Sequence, residues 1–210
     1  MDIDLRTPHN TAIVLVDYVT GYANLFRTQS ISDNITGAVA LARLAIGYRM
    51  PLVVTLGPER DARGTLYPEL GAEIGDHARV HRKGTFDAFG DPTFEQAIAD
   101  TGVRHLVLAG LTTEGCILRT TMGALQRDLG VTVVVDATAG ATQVGHDTAL
   151  ARLAQHGVAL TTWLSLAAEI QVTYDDERTV DIYRSVQGLD PSFAKNTQQL
   201  ANAISLGARG

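Results

Sequence analysis

Four short runs of apolar, largely β-branched residues decide most of what this chain can fold into. They lie at 12–16, 52–56, 105–109 and 131–135, and a weaker fifth lies at 158–163. No regular polar alternation interrupts them. Successive strand residues point to opposite faces, so strands of this kind must be covered on both sides. Helical patterns fill the gaps. Ser32 or Asp33 is placed to cap a helix reaching about Arg49, with Ile35, Val39, Ala42 and Ile46 on one face. Pro92 and Thr93 open a shorter helix to Asp100, 116–129 reads as a helix closed by Gly130, and 146–156 as one closed by Gly157. This alternation implies an α/β fold: a doubly wound, mainly parallel sheet with helices on both faces, joined by right-handed crossovers.

Two stretches break the rhythm. Residues 57–91 show little periodicity and carry Gly57, Gly64, Gly71, Gly75, Gly84 and Gly90. A connection this long in a compact domain usually serves as a lid or pocket wall. Residues 175–210 hold two helix-like runs, 176–186 and 191–206, after the last core elements. The chain is therefore read as a core domain, 1–174, and a C-terminal helical arm, 175–210, expected to pack on a neighbouring subunit. With 45% hydrophobic and 19% charged residues in 210, the chain has enough apolar surface for one sizeable core. A net charge of −6 without a basic stripe argues against nucleic acid or an anionic membrane surface as partner. No apolar run approaches the roughly 18 residues of a membrane span. The acidic start, Met1-Asp2-Ile3-Asp4-Leu5-Arg6, lacks the order of a secretory signal, and a lone cysteine suits a reducing cytoplasm.

That cysteine, Cys116, carries the chemistry. It follows the strand pattern at 105–109 and the turn Gly110-Leu111-Thr112-Thr113-Glu114-Gly115, and it opens an amphipathic stretch. A thiol in the first turn of a helix meets the positive end of the dipole and free N–H groups, which favour thiolate. Carboxyl ends of strands are where open α/β sheets place their sites. Asp17 leaves the first strand at the same end, and Lys83 follows Arg79-Val80-His81-Arg82. A carboxylate can take the thiol proton and later deliver it to a leaving amine, and an ammonium beside both would steady the charges. Each residue alone also has a bland reading: a buried structural thiol, a turn cap and a solvated lysine.

Together the motifs resemble a known family. Leu108-Ala109-Gly110-Leu111-Thr112-Thr113-Glu114-Gly115-Cys116-Ile117 is similar to the nucleophile motif of isochorismatase-like cysteine hydrolases, which include nicotinamidases and N-carbamoylsarcosine amidases. Thr11-Ala12-Ile13-Val14-Leu15-Val16-Asp17 resembles the family's first strand and acid, and Lys83 with Phe86-Asp87-Ala88-Phe89 its lysine segment. Val133-Val134-Val135-Asp136-Ala137-Thr138-Ala139-Gly140, and the helix following His146-Asp147, fit the family's order. The resemblance implies a three-layer fold and a catalytic triad of Asp17, Lys83 and Cys116. It also implies a cis peptide between Leu111 and Thr112, and an oxyanion hole from the N–H groups of Thr112 and Cys116.

Departures narrow the expectation. Nicotinamidases of the family hold a metal near the second strand, where this chain reads Val54-Thr55-Leu56-Gly57-Pro58-Glu59-Arg60 without histidine. His77, His81 and His105 have no familiar ligand spacing, so no catalytic metal and no cofactor are expected. Tyr18, Tyr22, Phe26, Phe86 and Phe89 are candidates to line a small apolar pocket, although aromatic residues serve core and interface equally. The segment 65–70 and the ending 163–169 with its long tail resemble a bacterial subgroup that assembles as rings, implying a homo-oligomer, tetramer or octamer. The expected function is therefore a cytoplasmic, metal-independent amidohydrolase acting through a thioester. A non-catalytic binding or scaffold oligomer on the same fold is the alternative. A receiver-type signalling domain is disfavoured, because Asp17 has no acidic neighbour.

Overall fold

A computed structural model describes residues 5–207. The first four residues of the acidic start and the last three of the arm lie outside it.

Six strands form one parallel sheet: β1 (Thr11–Val16), β2 (Leu52–Leu56), β3 (Arg79–His81), β4 (His105–Gly110), β5 (Gly130–Val134) and β6 (Ala159–Thr161). Their spatial order is β3-β2-β1-β4-β5-β6, so the chain reverses its direction of winding between β1 and β4. The five strands expected from apolar runs are present with small shifts of boundary. The sixth, β3, was not legible, because Arg79-Val80-His81 is short, polar and half exposed at the sheet edge.

Strand alternation builds two cores. Ile13 and Leu15 of β1 enter one cluster with Val107 and Ala109 of β4, while Val14 and Val16 enter the other with Leu106 and Leu108. Each buried valine, leucine or isoleucine among them contributes about 1.5–3 kcal/mol over exposure. The first face is covered by α1 (Ile31–Gly47), α2 (Pro68–Ile74), α6 (Trp163–Gln171) and α7 (Val180–Gln187), through Leu41, Leu44, Leu70, Leu166, Ile170 and Tyr183. The second is covered by α3 (Pro92–Thr101), α4 (Leu118–Leu125) and α5 (Gln143–Gln155), through Phe94, Ile98, Ala124 and Leu153. The result is a three-layer α/β fold.

Three local differences have clear causes. The cap of α1 is Ser30, whose side chain accepts the Asp33 N–H; Ser32 and Asp33 lie inside the helix, and Ile46 is exposed. Gly130 is not a helix stop but the first residue of β5; a Cβ there would lie 2.5 Å from His105 Nδ1. The helix itself ends at Leu125.

The expected C-terminal arm divides in two. Helix α7 buries Val180, Tyr183 and Val186, the last two in the core of its own chain, so the arm as a whole is not free to cover a neighbour. Among the described residues of the arm, α8 (Pro191–Gly207) is the exposed part, with Leu200, Ile204 and Leu206 well exposed. No helix among the described residues is long and apolar enough to cross a membrane.

Candidate active site

The site forms at the carboxyl ends of β1, β3 and β4. Asp17 is the first residue past β1 and is 2% exposed, with φ of 57°. Left-handed backbone is unusual outside glycine, although aspartate tolerates it better than most. Its carboxylate accepts a hydrogen bond from Thr55 Oγ1 at 3.2 Å and an ion pair from Arg82 Nη2. The negative charge of that carboxylate disfavours thiolate at the neighbouring Cys116. Arg82 Nη2 also reaches Cys116 Sγ at 3.5 Å, so one guanidinium edge spans acid and sulfur.

Arg82 therefore stands where Lys83 was expected. The reason is strand parity. Leu56 pairs with His81, and the Arg82 N–H donates to Leu56 O, which carries the ladder one residue beyond β3. Neighbouring residues point to opposite faces, so one of Arg82 and Lys83 faces the crevice and the other turns away. Lys83 is exposed, and its backbone N–H donates to Asp91 Oδ2 at 2.7 Å. That bond, with the Thr93 N–H, holds the Asp91 carboxyl below the usual range.

Cys116 belongs to a π-helical turn, Thr113–Ile117, that precedes α4. Turns of this type often mark functional positions. Gly110 brings the chain into the turn with φ of 151°, and a Cβ there would sit 2.0 Å from Val16 O. Only glycine lets β4 pass β1 this closely. The peptide between Leu111 and Thr112 is cis. Thr113 closes the turn from below: its N–H donates to Ala139 O at 2.9 Å, and its hydroxyl meets His146 Nδ1 at 2.7 Å.

The electrostatics differ from the sequence expectation of a stabilised thiolate. Burial pushes the Cys116 thiol up to about 11, and the negative Asp17 adds to this; Arg82 pulls the other way but does not prevail. The resting group is thus a neutral thiol beside the Asp17–Arg82 ion pair.

A cavity of about 210 Å³ opens on the sulfur, lined by Tyr22, Arg63, Arg82, Gly84, Thr85, Phe86 and Cys116. Of the five expected pocket aromatics, Tyr22 and Phe86 line it. Tyr18 is fully buried, its hydroxyl bonded to Ala137 O, and Phe26 and Phe89 pack in the two cores. Arg63 comes from the glycine-rich stretch 57–91, which does form pocket wall. A larger cavity of about 520 Å³, lined in part by Asp136, His146 and Trp163, lies away from Cys116, which is not among its lining residues. The histidines raised as possible ligands are engaged elsewhere: His77 with Leu52 O, His81 with Gly57 O and His105 with Thr132 Oγ1.

Known proteins share this arrangement of elements. The chain is 27% identical to the probable hydrolase YcaC of Escherichia coli over 94% of its own length and 91% of that protein. It is 38% identical to isochorismatase domain-containing protein 2 of Bos taurus, covering 74% of this chain and 72% of the relative. The solved structure of YcaC from Pseudomonas aeruginosa superposes with a TM-score of 0.89 at 26% identity, covering 96% and 99% of the two chains. The isochorismatase domain model matches residues 11–165, a span running from β1 to α6 and containing Asp17, Arg82 and Cys116. By that match, and by the six-stranded parallel sheet that carries the three residues, the chain belongs to the isochorismatase family of hydrolases.

Proposed function

We propose that the protein is a metal-independent cysteine hydrolase that cleaves the C–N bond of a small amide through a thioester on Cys116. One observation carries this reading: a sulfur lining a small cavity shares a buried guanidinium with a carboxylate. Because the resting thiol is neutral, proton transfer accompanies attack. Asp17 takes the Cys116 proton as Sγ bonds to the amide carbon, and the carbonyl electrons move to oxygen. The N–H groups of Thr112 and Cys116 are assigned to that oxyanion. When the C–N bond breaks, Asp17 returns its proton to the leaving amine. Water then attacks the thioester while giving a proton to Asp17. The acid departs as the C–S bond breaks, and Cys116 regains its proton. Arg82 neutralises Asp17 in the resting state and steadies negative charge on sulfur when it forms.

The relatives lend support. YcaC of Pseudomonas aeruginosa was solved with covalent acrylamide, an amide-bearing electrophile. The assay is turnover of a panel of small amides by wild type and by Cys116→Ala. Turnover by wild type alone supports the reading, whereas equal rates from both remove Cys116 from it.

A homo-oligomer, tetramer or octamer, is part of the same proposal, as is a cytoplasmic location. Leu200 and Ile204 lie one turn apart on α8 and expose apolar surface that this chain does not cover. YcaC of Escherichia coli is an octameric hydrolase of unknown specificity. Replacing both residues with glutamate is expected to lower the sedimentation coefficient. An unchanged coefficient removes α8 from the interface.

A further inference from the structure

We infer that Arg63 sets specificity at this site, and that the substrate is a small amide carrying a carboxylate away from the scissile bond. The inference rests on the amidase reading and adds the chemical class of the substrate.

Arg63 is held in place by the rest of its loop. Its Nε donates to both Asp61 carboxylate oxygens at 2.8 Å, and Nη2 donates to Asp61 Oδ2. Its Nη1 donates to the Tyr22 hydroxyl at 2.5 Å, and the guanidinium lies 5.5 Å from the centre of the Tyr22 ring. The backbone is fastened as well. Gly21 N–H donates to Arg63 O at 2.6 Å, and Thr20 N–H donates to Thr65 O at 2.9 Å. A Cβ at position 21 would lie 2.2 Å from Arg63 O, so glycine is what allows this approach. Fixing an arginine side chain gives up a large share of rotamer freedom. Here that freedom is given up at a position 36% exposed, on the wall of the cavity.

A guanidinium has five N–H donors. Asp61 and Tyr22 engage three of those on Arg63, one on each nitrogen, which leaves two free. Arg82 lines the same cavity and adds a second guanidinium to its wall. Among the described residues, no aspartate, glutamate or histidine lines the cavity. Its wall is thus rich in donors and lacks a carboxylate to receive an ammonium. A carboxylate on the substrate matches the fork geometry of arginine, whereas a substrate ammonium finds no carboxylate among the lining residues. At roughly 30 Å³ per water, a volume of about 210 Å³ holds about seven waters, which limits the ligand to a small molecule.

The test compares succinamate with 4-methylpentanamide, its uncharged isostere. Hydrolysis by wild type is measured together with binding to the Cys116→Ala variant by calorimetry. Succinamate is expected to bind at least tenfold more tightly, and to show a kcat/KM at least tenfold higher. Arg63→Met is expected to erase the difference through KM, and Arg63→Lys to restore part of it. Both amides turned over at equal kcat/KM, or an Arg63→Met enzyme that keeps the wild-type ratio, overturns the inference while leaving the hydrolase reading intact. Preferential binding of succinamate through Arg63 with no turnover sustains the specificity and overturns the hydrolase. Absence of any binding preference overturns the inference whatever the rates.

Discussion

Replacing Arg82 with methionine, which approximates its length without its charge, should damage this protein far more than the same change at Lys83. Arg82 is 3% exposed and Asp17 2% exposed. Loss of the guanidinium leaves a buried carboxylate with the Thr55 hydroxyl as its remaining side-chain partner. Removing one member of a buried ion pair costs about 3–5 kcal/mol. For a chain of this size each kcal/mol shifts Tm by about 2–4 °C, so the fall should be roughly 6–20 °C. The Cys116 thiol should also move further above its present value of about 11, because Arg82 is what draws it down. Lys83 offers the control. Its side chain is exposed, and its backbone rather than its ammonium holds Asp91. Lys83→Met should change stability by no more than about 0.5 kcal/mol. Urea unfolding of both variants measures the contrast. Adding Asp17→Asn to Arg82→Met should recover part of the loss, since the orphaned charge is then gone. A stable Arg82→Met protein beside a collapsed Lys83→Met protein would refute the reasoning and return Lys83 to the site.

Two further outcomes follow from the same geometry. Iodoacetamide should label resting Cys116 slowly at pH 7 and faster by about tenfold per pH unit toward about 11; against a free thiol of pKa ~8.5 the deficit at neutral pH is about 300-fold. A labelling rate that levels off below pH 7 would show a preformed thiolate instead. Asp91→Ala removes the cap of α3 and the acceptor for the Lys83 N–H, and should cost about 0.5–2 kcal/mol in denaturant unfolding. The Asp91 carboxyl is held below its unfolded value, so its contribution is full above about pH 4 and is lost as pH falls through the folded value. A wild-type minus variant difference that grows on acidification would contradict this.

The sequence disclosed the parts whose signal is apolar and continuous. β1, β2, β4 and β5 announce themselves because burial on both faces permits no polar alternation, and Asp17 and Cys116 follow as residues that leave those strands. β3 gave no such signal, since an edge strand of three residues with two polar side chains looks like loop. Losing β3 also lost its parity, which is why the family pattern pointed to Lys83 while the fold turns Arg82 inward. Arg63 was hidden for a different reason. Its orientation depends on Asp61, Tyr22 and the closeness of Gly21, contacts that no periodicity records. The thiol followed the same rule: a helix start favours thiolate in isolation, but burial and the Asp17 carboxylate depend on tertiary neighbours. The aromatics after Asp17 divided by burial, with Tyr18 and Phe26 in the core and Tyr22 at the cavity.

The central claim is that sulfur becomes covalently acylated during turnover. Intact-mass spectrometry of enzyme quenched with acid while hydrolysing an amide substrate tests it directly. The expected result is a mass increase equal to the acyl group, localised to the peptide containing Cys116, discharged by hydroxylamine and absent from Cys116→Ala. Steady turnover with no adduct on that peptide, and the same rate from Cys116→Ala, would contradict it.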